Sequence, residues 1–394
     1  MRQSHPRGAE LLDPTTYLGD PRPLYATLRR EAPVTWVEEP GFWAVSTHQL
    51  LTKASLHPED FCSSRGILVE EIGTTYASPP TMMHTDAPEH TRYRRLAQPG
   101  FKPTVVRQLR DQVAATAERL LNTLPIGEDL DIVTSLAIPF PLQVIAEILG
   151  ADIDEWPTFF RWSEAAIPGA QELDAETRAA TQLEMWNYLI GLAEQRRREP
   201  RDDLVSAIAT ATIDGDLLSE AELAMFLIQL LVAGNETTRN LISGGLVALA
   251  DRPEQWQRIV KNEDVLPTAV EELLRWTTPV TSFLRTATKQ TSLGDVEIGE
   301  GDPILLLYGS ANFDEEAFGP TVNELDVTRS PNPQVSFGVG NHFCLGAALA
   351  RMEADILLRG LASRASTLQR IGEVERSPST VIAGLRHATL RLDA

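Results

Sequence analysis

The segment FGVGNHFCLGAALARME (residues 337–353) places a cysteine, Cys344, between a glycine-rich stretch and the start of a predicted helix. Gly338 and Gly340 permit backbone conformations that other residues avoid and allow the chain to approach a flat ligand closely. The unpaired N–H groups and the dipole at a helix start favour a thiolate over a thiol. From the residues alone, Cys344 is either a functional thiolate or a small buried side chain of the core.

The stretch LLVAGNETTRN (230–240) carries a polar run, Asn235 to Thr238, inside an otherwise apolar predicted helix. Glutamate is rarely buried without a function, so Glu236 is a candidate proton donor. Threonine hydroxyls can bond to the carbonyl of the preceding turn and bend a helix, which would open a groove beside Thr237. The alternative is a polar patch at a contact between two helices.

Two further pairs of residues share a helical face. His90 and Arg94, in HTDAPEHTRYRRL (84–96), are four apart and suit the carboxylates of a ligand. Glu272 and Arg275, in EELLR (271–275), are three apart and can pair. From spacing alone, a solvated basic face and a weak surface ion pair remain the alternatives.

Together these segments resemble the cytochrome P450 family. The string FGVGNHFCLGAALAR is similar to the family's cysteine loop, F-G-x-G-x-H-x-C-x-G followed by L-A-R. AGNETT (233–238), EELLR and the segment around His90 stand in the family's order and spacing, so the resemblance covers nearly the whole chain from residue 33 onwards. It implies a fold that is mainly α with small β-sheets, in which a long central helix crosses over a haem.

The resemblance also implies a haem-thiolate site. Cys344 would bind the iron of haem b (iron protoporphyrin IX), because a thiolate pushes electron density onto iron and favours cleavage of the O–O bond. His90, Arg94, Arg285 and His342 would bind the propionates, while Ala233 and Gly234 would leave room for dioxygen. The full set of expected haem contacts is His90, Arg94, Ala233, Gly234, Arg285, Phe337, Gly338, His342, Cys344 and Gly346.

Further roles follow from the same resemblance. Glu236 would supply protons, and Thr237 would stabilise reduced dioxygen by hydrogen bonding. Glu272, Arg275 and Arg329 would form a buried structural group that supports the cysteine loop. The substrate pocket would be lined by mostly apolar side chains, which suit a steroid, terpenoid, fatty acid or macrolide-like molecule. These are Leu68, Val69, Met83, Leu230, Val280, Phe283 and Ile382.

The implied reaction is insertion of one oxygen atom from O2 into a hydrophobic small molecule, with electrons from a ferredoxin and its reductase. A basic run without acidic residues comprises Arg92, Arg94, Arg95, Lys102, Arg107 and Arg110. Its arginines are predicted to form the ferredoxin-docking surface, and a plain solvated face is the alternative. The alternatives are a peroxide-driven peroxygenase and a non-catalytic haem-thiolate binding or sensing protein. The Glu236–Thr237 pair argues against both, because neither needs a delivery route for protons.

The composition limits the class of protein. The 394 residues include 55 acidic and 35 basic ones, a formal net charge of −20, which argues against binding to nucleic acid or to anionic membrane. Two cysteines cannot make a disulfide framework, and the N-terminal residues lack the apolar core of a signal peptide. The apolar run over 223–234 is shorter than the roughly 20 residues of a membrane span. We therefore expect a cytoplasmic monomer.

The elements that position these residues are mostly helical. Ser219 and Glu222 form a predicted capping box, and Asp251-Arg252-Pro253 ends a helix of about 45 Å. Residues 33–47 predict a β-hairpin, and 62–88 a long loop. Helices are expected over 90–149, with breaks near Pro125 and at Pro139 and Pro141, and over 153–210; short strands are expected at 285–298, 303–308 and 386–392. Without a visible boundary, residues 1–394 are predicted as a single domain.

Overall fold

The computed structural model describes residues 3–76, 80–101, 103–166, 173–201, 203–213 and 215–394. Helices dominate, and short strands cluster towards the two ends of the chain. In chain order the elements are α1 (Pro14–Leu18), α2 (Arg22–Glu31), β1 (Val34–Val37), β2 (Phe42–Val45), α3 (His48–Leu56), β3 (Phe61–Cys62), α4 (Glu89–Ala97), α5 (Pro103–Gln108), α6 (Arg110–Leu121), β4 (Asp129–Asp131), α7 (Pro139–Leu149), α8 (Trp156–Ala166), α9 (Ala175–Arg198), α10 (Leu204–Ala209), β5 (Thr212–Ile213), β6 (Asp216–Leu217), α11 (Glu220–Ala250), α12 (Pro253–Lys261), α13 (Leu266–Thr277), β7 (Ser282–Ala287), β8 (Thr291–Leu293), β9 (Val296–Ile298), β10 (Pro303–Leu307), α14 (Tyr308–Ala311), α15 (Glu315–Phe318), α16 (Ala347–Ala362), β11 (Thr367–Arg376) and β12 (Leu385–Asp393).

The central helix α11 begins and ends where the sequence predicts. The Ser219 hydroxyl accepts a hydrogen bond from the Glu222 N–H, and the Glu222 carboxylate accepts one from the Ser219 N–H, which satisfies two otherwise unpaired donors. The helix continues for 31 residues to Ala250, with Asp251 as its C-cap. It packs against α7, α8, α9, α13 and α16, so it crosses the helical core.

The larger sheet has the strand order β1-β2-β10-β7-β3. Strands β1 and β2 form the predicted hairpin, with Trp36 opposite Trp43, and β10 then runs parallel to β2. A smaller sheet, β11-β12-β4, brings the last strands of the chain beside β4. Its strand β12 also contacts α11, which places the C-terminal segment next to the central helix.

The expectation of a mainly α fold with small sheets is confirmed. Helix α7 begins at Pro139, as proline favours the first helical turn, and it is buried along almost its whole length. The segment 62–88 contains two short 3₁₀ turns, Val69–Glu71 and Met82–His84, and its residues 77–79 lie outside the described residues. Within the described part of the chain, none of the helices combines the length and the apolar character that crossing a membrane requires.

Candidate active site

The middle of α11 has one accessible face although the helix is buried on both sides of it. Leu230 and Thr237 are half-buried and Ala233 is exposed, at spacings of three and four that place them on one face. The Thr237 hydroxyl donates to the Ala233 carbonyl across 2.7 Å, the back-bond expected for threonine in a helix. Its oxygen therefore remains available as an acceptor towards the accessible face.

Gly234 has a packing role in addition to the space for dioxygen that the resemblance implies, which stays a prediction. A Cβ at Gly234 would lie 2.7 Å from the Cδ1 atom of Ile145, so the missing side chain allows α7 to approach α11. The next residue, Asn235, is fully buried and donates to the Ser163 hydroxyl of α8 across 3.1 Å. The polar residues of α11 therefore lie on different faces of the helix: Thr237 is on the accessible face, and Asn235 is buried against α8. Gly234 allows the close packing of α7.

The cysteine loop is held by its own backbone. The Cys344 N–H donates to the Phe337 carbonyl across 2.8 Å, and Gly338 and Gly340 have positive φ angles of 72° and 75°. A Cβ at Gly340 would lie only 2.4 Å from the Ser55 carbonyl oxygen, which excludes any other residue there without a shift of the backbone. A Cβ at Gly346 would meet no atom within 4 Å, which leaves open space beside Cys344.

Cys344 combines an exposed surface with a desolvated thiol. Burial raises the pKa of the Cys344 thiol, although the Gly346 N–H, Arg94 and Arg351 act in the opposite direction. The two observations agree if the exposed surface of Cys344 faces an internal cavity and not bulk solvent. In the protein alone, desolvation therefore opposes the effect of the helix start, and the thiolate expected from the sequence stays a prediction. A metal cation at the sulfur would supply the missing stabilisation.

Four basic side chains gather near the cysteine loop. The rings of His90 and His342 lie 4.1 Å apart between centroids. Burial first, and then Arg285, His90 and Arg94, lower the pKa of His342 to about 2, so this imidazole is neutral at ordinary pH. Burial also lowers the pKa of His90 and of Arg94, and Arg94 senses the charge of Cys344. These residues share one positive region.

In the described part of the chain, no carboxylate pairs with the arginines of this positive region. Among the described residues, neither Arg94 nor Arg285 forms an ion pair, and the Arg285 guanidinium donates to the Leu284 carbonyl across 2.6 Å. Buried guanidinium groups are normally paired, so this cluster fits a dianionic ligand. This basic cluster could hold the propionates of a haem, and the exposed Cys344 beside the open space at Gly346 could supply its thiolate ligand. The individual haem-binding roles remain predictions.

Glu272, Arg275 and Arg329 meet inside the protein. Glu272 and Arg275 are 0% exposed, and the Arg275 Nη2 and Nε atoms donate to the Glu272 carboxylate across 2.7 and 2.8 Å. The Arg329 Nε donates to the same carboxylate across 3.0 Å. Arg275 also donates to the Asn312 and Val322 carbonyls, so the group ties α13 to the segment before the cysteine loop.

This arrangement leads to a stability prediction. Glu272→Gln should lower the free energy of unfolding by about 3–5 kcal/mol, because it leaves two buried guanidinium groups without their carboxylate. The matched control is Asp326→Asn, which removes the exposed contact of 3.8 Å with Arg258 and should cost less than about 1 kcal/mol. Chemical denaturation followed by far-ultraviolet circular dichroism measures both. Equal losses in the two variants would contradict the structural role of Glu272.

Glu236 is buried in a group of charges that the sequence analysis missed. Its carboxylate accepts hydrogen bonds from Arg239 at 3.0 Å and from the Asn240 amide at 3.3 Å. Arg239 also donates to Glu164 of α8 across 3.0 Å. Burial raises the pKa of Glu236, and the charge of Arg239 only partly opposes this. Arg239, a second charge three residues after Glu236 in an apolar helix, was the available sequence signal.

The predicted substrate-lining residues fall into separate places. Val280 and Ile382 are brought together by an isolated β-bridge, and the Phe283 ring lies 6.2 Å from that of Tyr308, edge to face. Leu230 is on the accessible face of α11, and Met83 is half-buried. Leu68 and Val69 line a small groove together with Leu11, Leu12, Ile67, Ser282, Leu305, Thr380 and Val381. Their part in a common pocket remains a prediction.

The arginines predicted to dock ferredoxin differ in their exposure and in their ion pairs. Arg95 and Arg107 are exposed and, within the described segments, form no ion pair, whereas Arg110 pairs with Asp355 at 3.1 Å. Arg92 donates to Glu222 at the start of α11 across 3.0 Å. That contact engages Arg92 in the fold although its side chain remains 40% exposed, and its part in docking stays a prediction. Lys102 lies outside the described residues.

Comparisons with known proteins agree on one family. Residues 187–364 match the family model described as Cytochrome P450. The chain is 36% identical to the steroid C26-monooxygenase of Rhodococcus jostii (strain RHA1), over 97% of this chain and 84% of that protein. It is 33% identical to the linalool 8-monooxygenase of Pseudomonas putida, over 97% of this chain and 98% of that protein.

A solved structure gives the same result. The cytochrome P450 CYP268A2 of Mycobacterium marinum, in complex with pseudoionone, superposes with a TM-score of 0.91 over 100% of both chains, at 31% sequence identity. Two monooxygenases above 30% identity over almost the whole chain exceed what a shared fold alone would give. This chain therefore belongs to the cytochrome P450 family of haem-thiolate monooxygenases.

Proposed function

We propose that this enzyme inserts one oxygen atom of O2 into a hydrophobic small molecule, of the steroid, terpenoid, fatty acid or macrolide-like classes. It uses haem b, and its electrons come from a ferredoxin and a ferredoxin reductase. The relatives named for steroid and linalool oxidation support the steroid and terpenoid classes in particular. The apolar character of Leu230, Val280, Phe283 and Ile382 supports the same choice.

The observation that carries the proposal is the surroundings of Cys344. Its exposed surface lies at a desolvated position, and Arg94, which senses its charge, belongs to a positive region without carboxylates for its arginines. In this assignment Cys344 binds the iron, and Arg94, Arg285, His90 and His342 hold the propionates. When bound, the haem supplies the redox chemistry that activates dioxygen.

Residues of the chain itself then control the protons. The Thr237 hydroxyl gives its hydrogen to the Ala233 carbonyl, so its oxygen accepts a hydrogen bond from a water or a protonated oxygen group at the accessible face of α11. Glu236, with its raised pKa, holds a proton one residue away and releases it through water. The apolar residues around this face exclude other water and thereby limit side reactions.

The substrate class can be tested by titrating the haem-loaded enzyme with steroids, terpenoids, fatty acids and macrolides. Ligands of the right class should shift the haem spin state, and products should gain one oxygen atom by mass spectrometry. A control series of the corresponding polar conjugates should produce no shift. Binding of the polar conjugates alone would contradict a hydrophobic substrate.

The electron source separates this function from its alternatives. Turnover with NAD(P)H, a ferredoxin and its reductase, in the presence of catalase, is expected for the monooxygenase. Turnover that requires peroxide and stops with catalase would instead identify a peroxygenase. Reversible ligand binding without product in either system would identify a binding or sensing protein. The Glu236–Thr237 pair supports the first outcome, because only that reaction needs delivered protons.

The charge distribution predicts a salt-dependent docking of ferredoxin. Arg94 is half-buried and interacts electrostatically with Cys344, whereas the neighbouring Arg95 is exposed on the same helix, α4. Arg95→Glu should slow electron transfer roughly tenfold at low salt, since an acidic partner is steered by positive charge. Electron transfer to the unmodified enzyme should also slow as ionic strength rises. Stopped-flow reduction of the haem at several salt concentrations measures both effects.

The matched control is Arg198→Glu, at an exposed arginine near the end of α9 whose side chain is 76% exposed. It makes the same change of charge at a different part of the surface. If both substitutions slow electron transfer equally, the effect comes from the net charge of the protein and not from docking at Arg95. Reduction that depends neither on salt nor on Arg95 would rule out docking at this part of α4.

A further inference from the structure

One guanidinium group serves two buried carboxyl groups next to the accessible face of α11. The Nη1 atom of Arg239 donates to Oε1 of Glu164 and to Oε2 of Glu236, each across 3.0 Å. The three side chains are only 6–8% exposed. Glu164 belongs to α8 and Arg239 to α11, so this shared contact joins two helices through residues that are 75 apart in the chain.

The surroundings add no second cation to this group. The Arg239 Nη2 donates weakly to the Leu385 carbonyl of β12 across 3.4 Å, and its Nε has no partner among the described residues. The Phe160 ring of α8 lies 5.7 Å from the guanidinium carbon. Among the described residues, no side chain of α7 or α9 hydrogen-bonds to Glu236 or Arg239. Among the described residues, the charges that act most on Glu236 are those of Arg239 and Glu164.

The charges of this group favour a proton on one of its two carboxyl groups. Two ionised carboxylates and one guanidinium would leave a net negative charge in a desolvated place, which costs several kcal/mol. Protonation of one carboxyl group removes that cost. Burial and the charge of Glu164 both favour protonated Glu236, whereas Arg239 and Asn240 favour its ionised form.

We propose that Glu164 is a positioning residue for oxygen activation, which keeps a proton on Glu236 by sharing the Nη1 atom of Arg239. This inference rests on the proposed function, in which Glu236 delivers protons beside Thr237. Glu164 touches neither the substrate nor the haem in this assignment. It acts through Arg239, whose attraction would otherwise be directed to Glu236 alone and would hold that carboxyl in its ionised form.

Asn240 provides a place for the stored proton. Its amide nitrogen lies 3.3 Å from Oε1 of Glu236, and its amide oxygen is buried without a partner among the described residues. A half-turn of the amide exchanges the oxygen and the nitrogen, so that a proton on Oε1 gains a buried acceptor. The proton is thus held on the oxygen that does not face Arg239, and it can leave without breaking the ion pair.

The test is Glu164→Gln in the haem-loaded enzyme, because glutamine keeps the size of the side chain and removes its charge. Arg239 then acts on Glu236 alone, so the pKa of Glu236 falls. Turnover that needs protonated Glu236 declines as pH rises, and this decline should begin about one pH unit lower in the variant. Above both transitions the variant should therefore be about tenfold slower than the unmodified enzyme.

Infrared spectroscopy supplies a readout that does not require turnover. The unmodified protein should show a protonated-carboxyl C=O band with a Glu236 component that is lost in Glu236→Gln, whereas the buried Glu353, whose pKa burial also raises, should contribute to both spectra. In Glu164→Gln at the same pH this band should weaken, although Glu236 is still present. The matched control is Glu184→Gln, which removes an exposed 2.6 Å contact with Arg161 of the same helix α8 and should change neither the band nor the pH profile.

A purely structural role for Glu164 would lower the thermal stability and leave the band and the pH profile unchanged, and that result would overturn the inference. A stronger band in Glu164→Gln would also overturn it, because the sign would be opposite. Failure of the proposed function has a different signature. In that case the unmodified enzyme would form no oxygenated product, while the infrared comparison would still decide where the proton lies.

Discussion

Cys344→Ser is expected to abolish the strongly red-shifted Soret band of the reduced carbon-monoxide complex and all oxygenase activity. Serine occupies nearly the same volume, but its hydroxyl does not replace a thiolate as a ligand that donates electron density to iron. The open space at Gly346 and the hydrogen bond from the Cys344 N–H to the Phe337 carbonyl do not depend on the sulfur. The loop should therefore keep its conformation. Visible spectra with carbon monoxide, together with far-ultraviolet circular dichroism, test this expectation.

Cys62→Ser is the matched control. Cys62 is buried in β3, opposite Thr286 of β7, and burial raises the pKa of its thiol. Its substitution should leave the Soret band in place. If Cys344→Ser retains the thiolate spectrum and Cys62→Ser loses it, the ligand assignment is wrong.

Local signals in the sequence were sufficient for the central helix and the hairpin. The Ser219–Glu222 capping box and the Asp251-Arg252-Pro253 stop act within one turn of the chain, so their effect can be inferred without knowledge of the fold. The hairpin over 33–47 likewise depends on neighbouring residues. By contrast, β11 was missed, because its sequence is polar and only Leu368 is buried along its ten residues. It lacks the alternation that identifies a strand.

Contacts in the site could be predicted where both residues belong to one helix, because their spacing fixes whether they share a face. Glu272 and Arg275 pair as their separation of three predicts, whereas Arg329 and the burial of the group were expected only from the family resemblance. The packing of Gly234 against Ile145 was not foreseen, because α7 is distant in sequence. For the same reason, no local pattern connects Glu164 with Arg239. Contacts between sequence-distant helices require the assembled structure.

Thr237→Ala is expected to consume reductant while it releases peroxide in place of oxygenated product. The substitution removes the oxygen that accepts a hydrogen bond at the accessible face of α11, but it leaves the neighbouring Ala233 and the helix intact. Haem binding and substrate-induced spectral shifts should therefore persist. Loss of a positioned hydrogen-bonding or proton-transfer group typically costs 10²–10⁴-fold in the step that it serves, so product formation should fall by about 10² or more. The measurement is product per NAD(P)H consumed, with peroxide assayed in parallel.

Thr238→Ala is the matched control, because the adjacent threonine is buried and lies outside the accessible face. It should keep product formation coupled to reductant consumption, even if some stability is lost. Glu236→Gln should differ from both, since it removes the proton donor and should slow oxygen consumption itself. Three distinct results would separate the hydrogen-bonding role of Thr237 from the proton-supplying role of Glu236. Full coupling in Thr237→Ala would instead mean that its hydroxyl serves only the back-bond to Ala233, and that the polar run of α11 is structural.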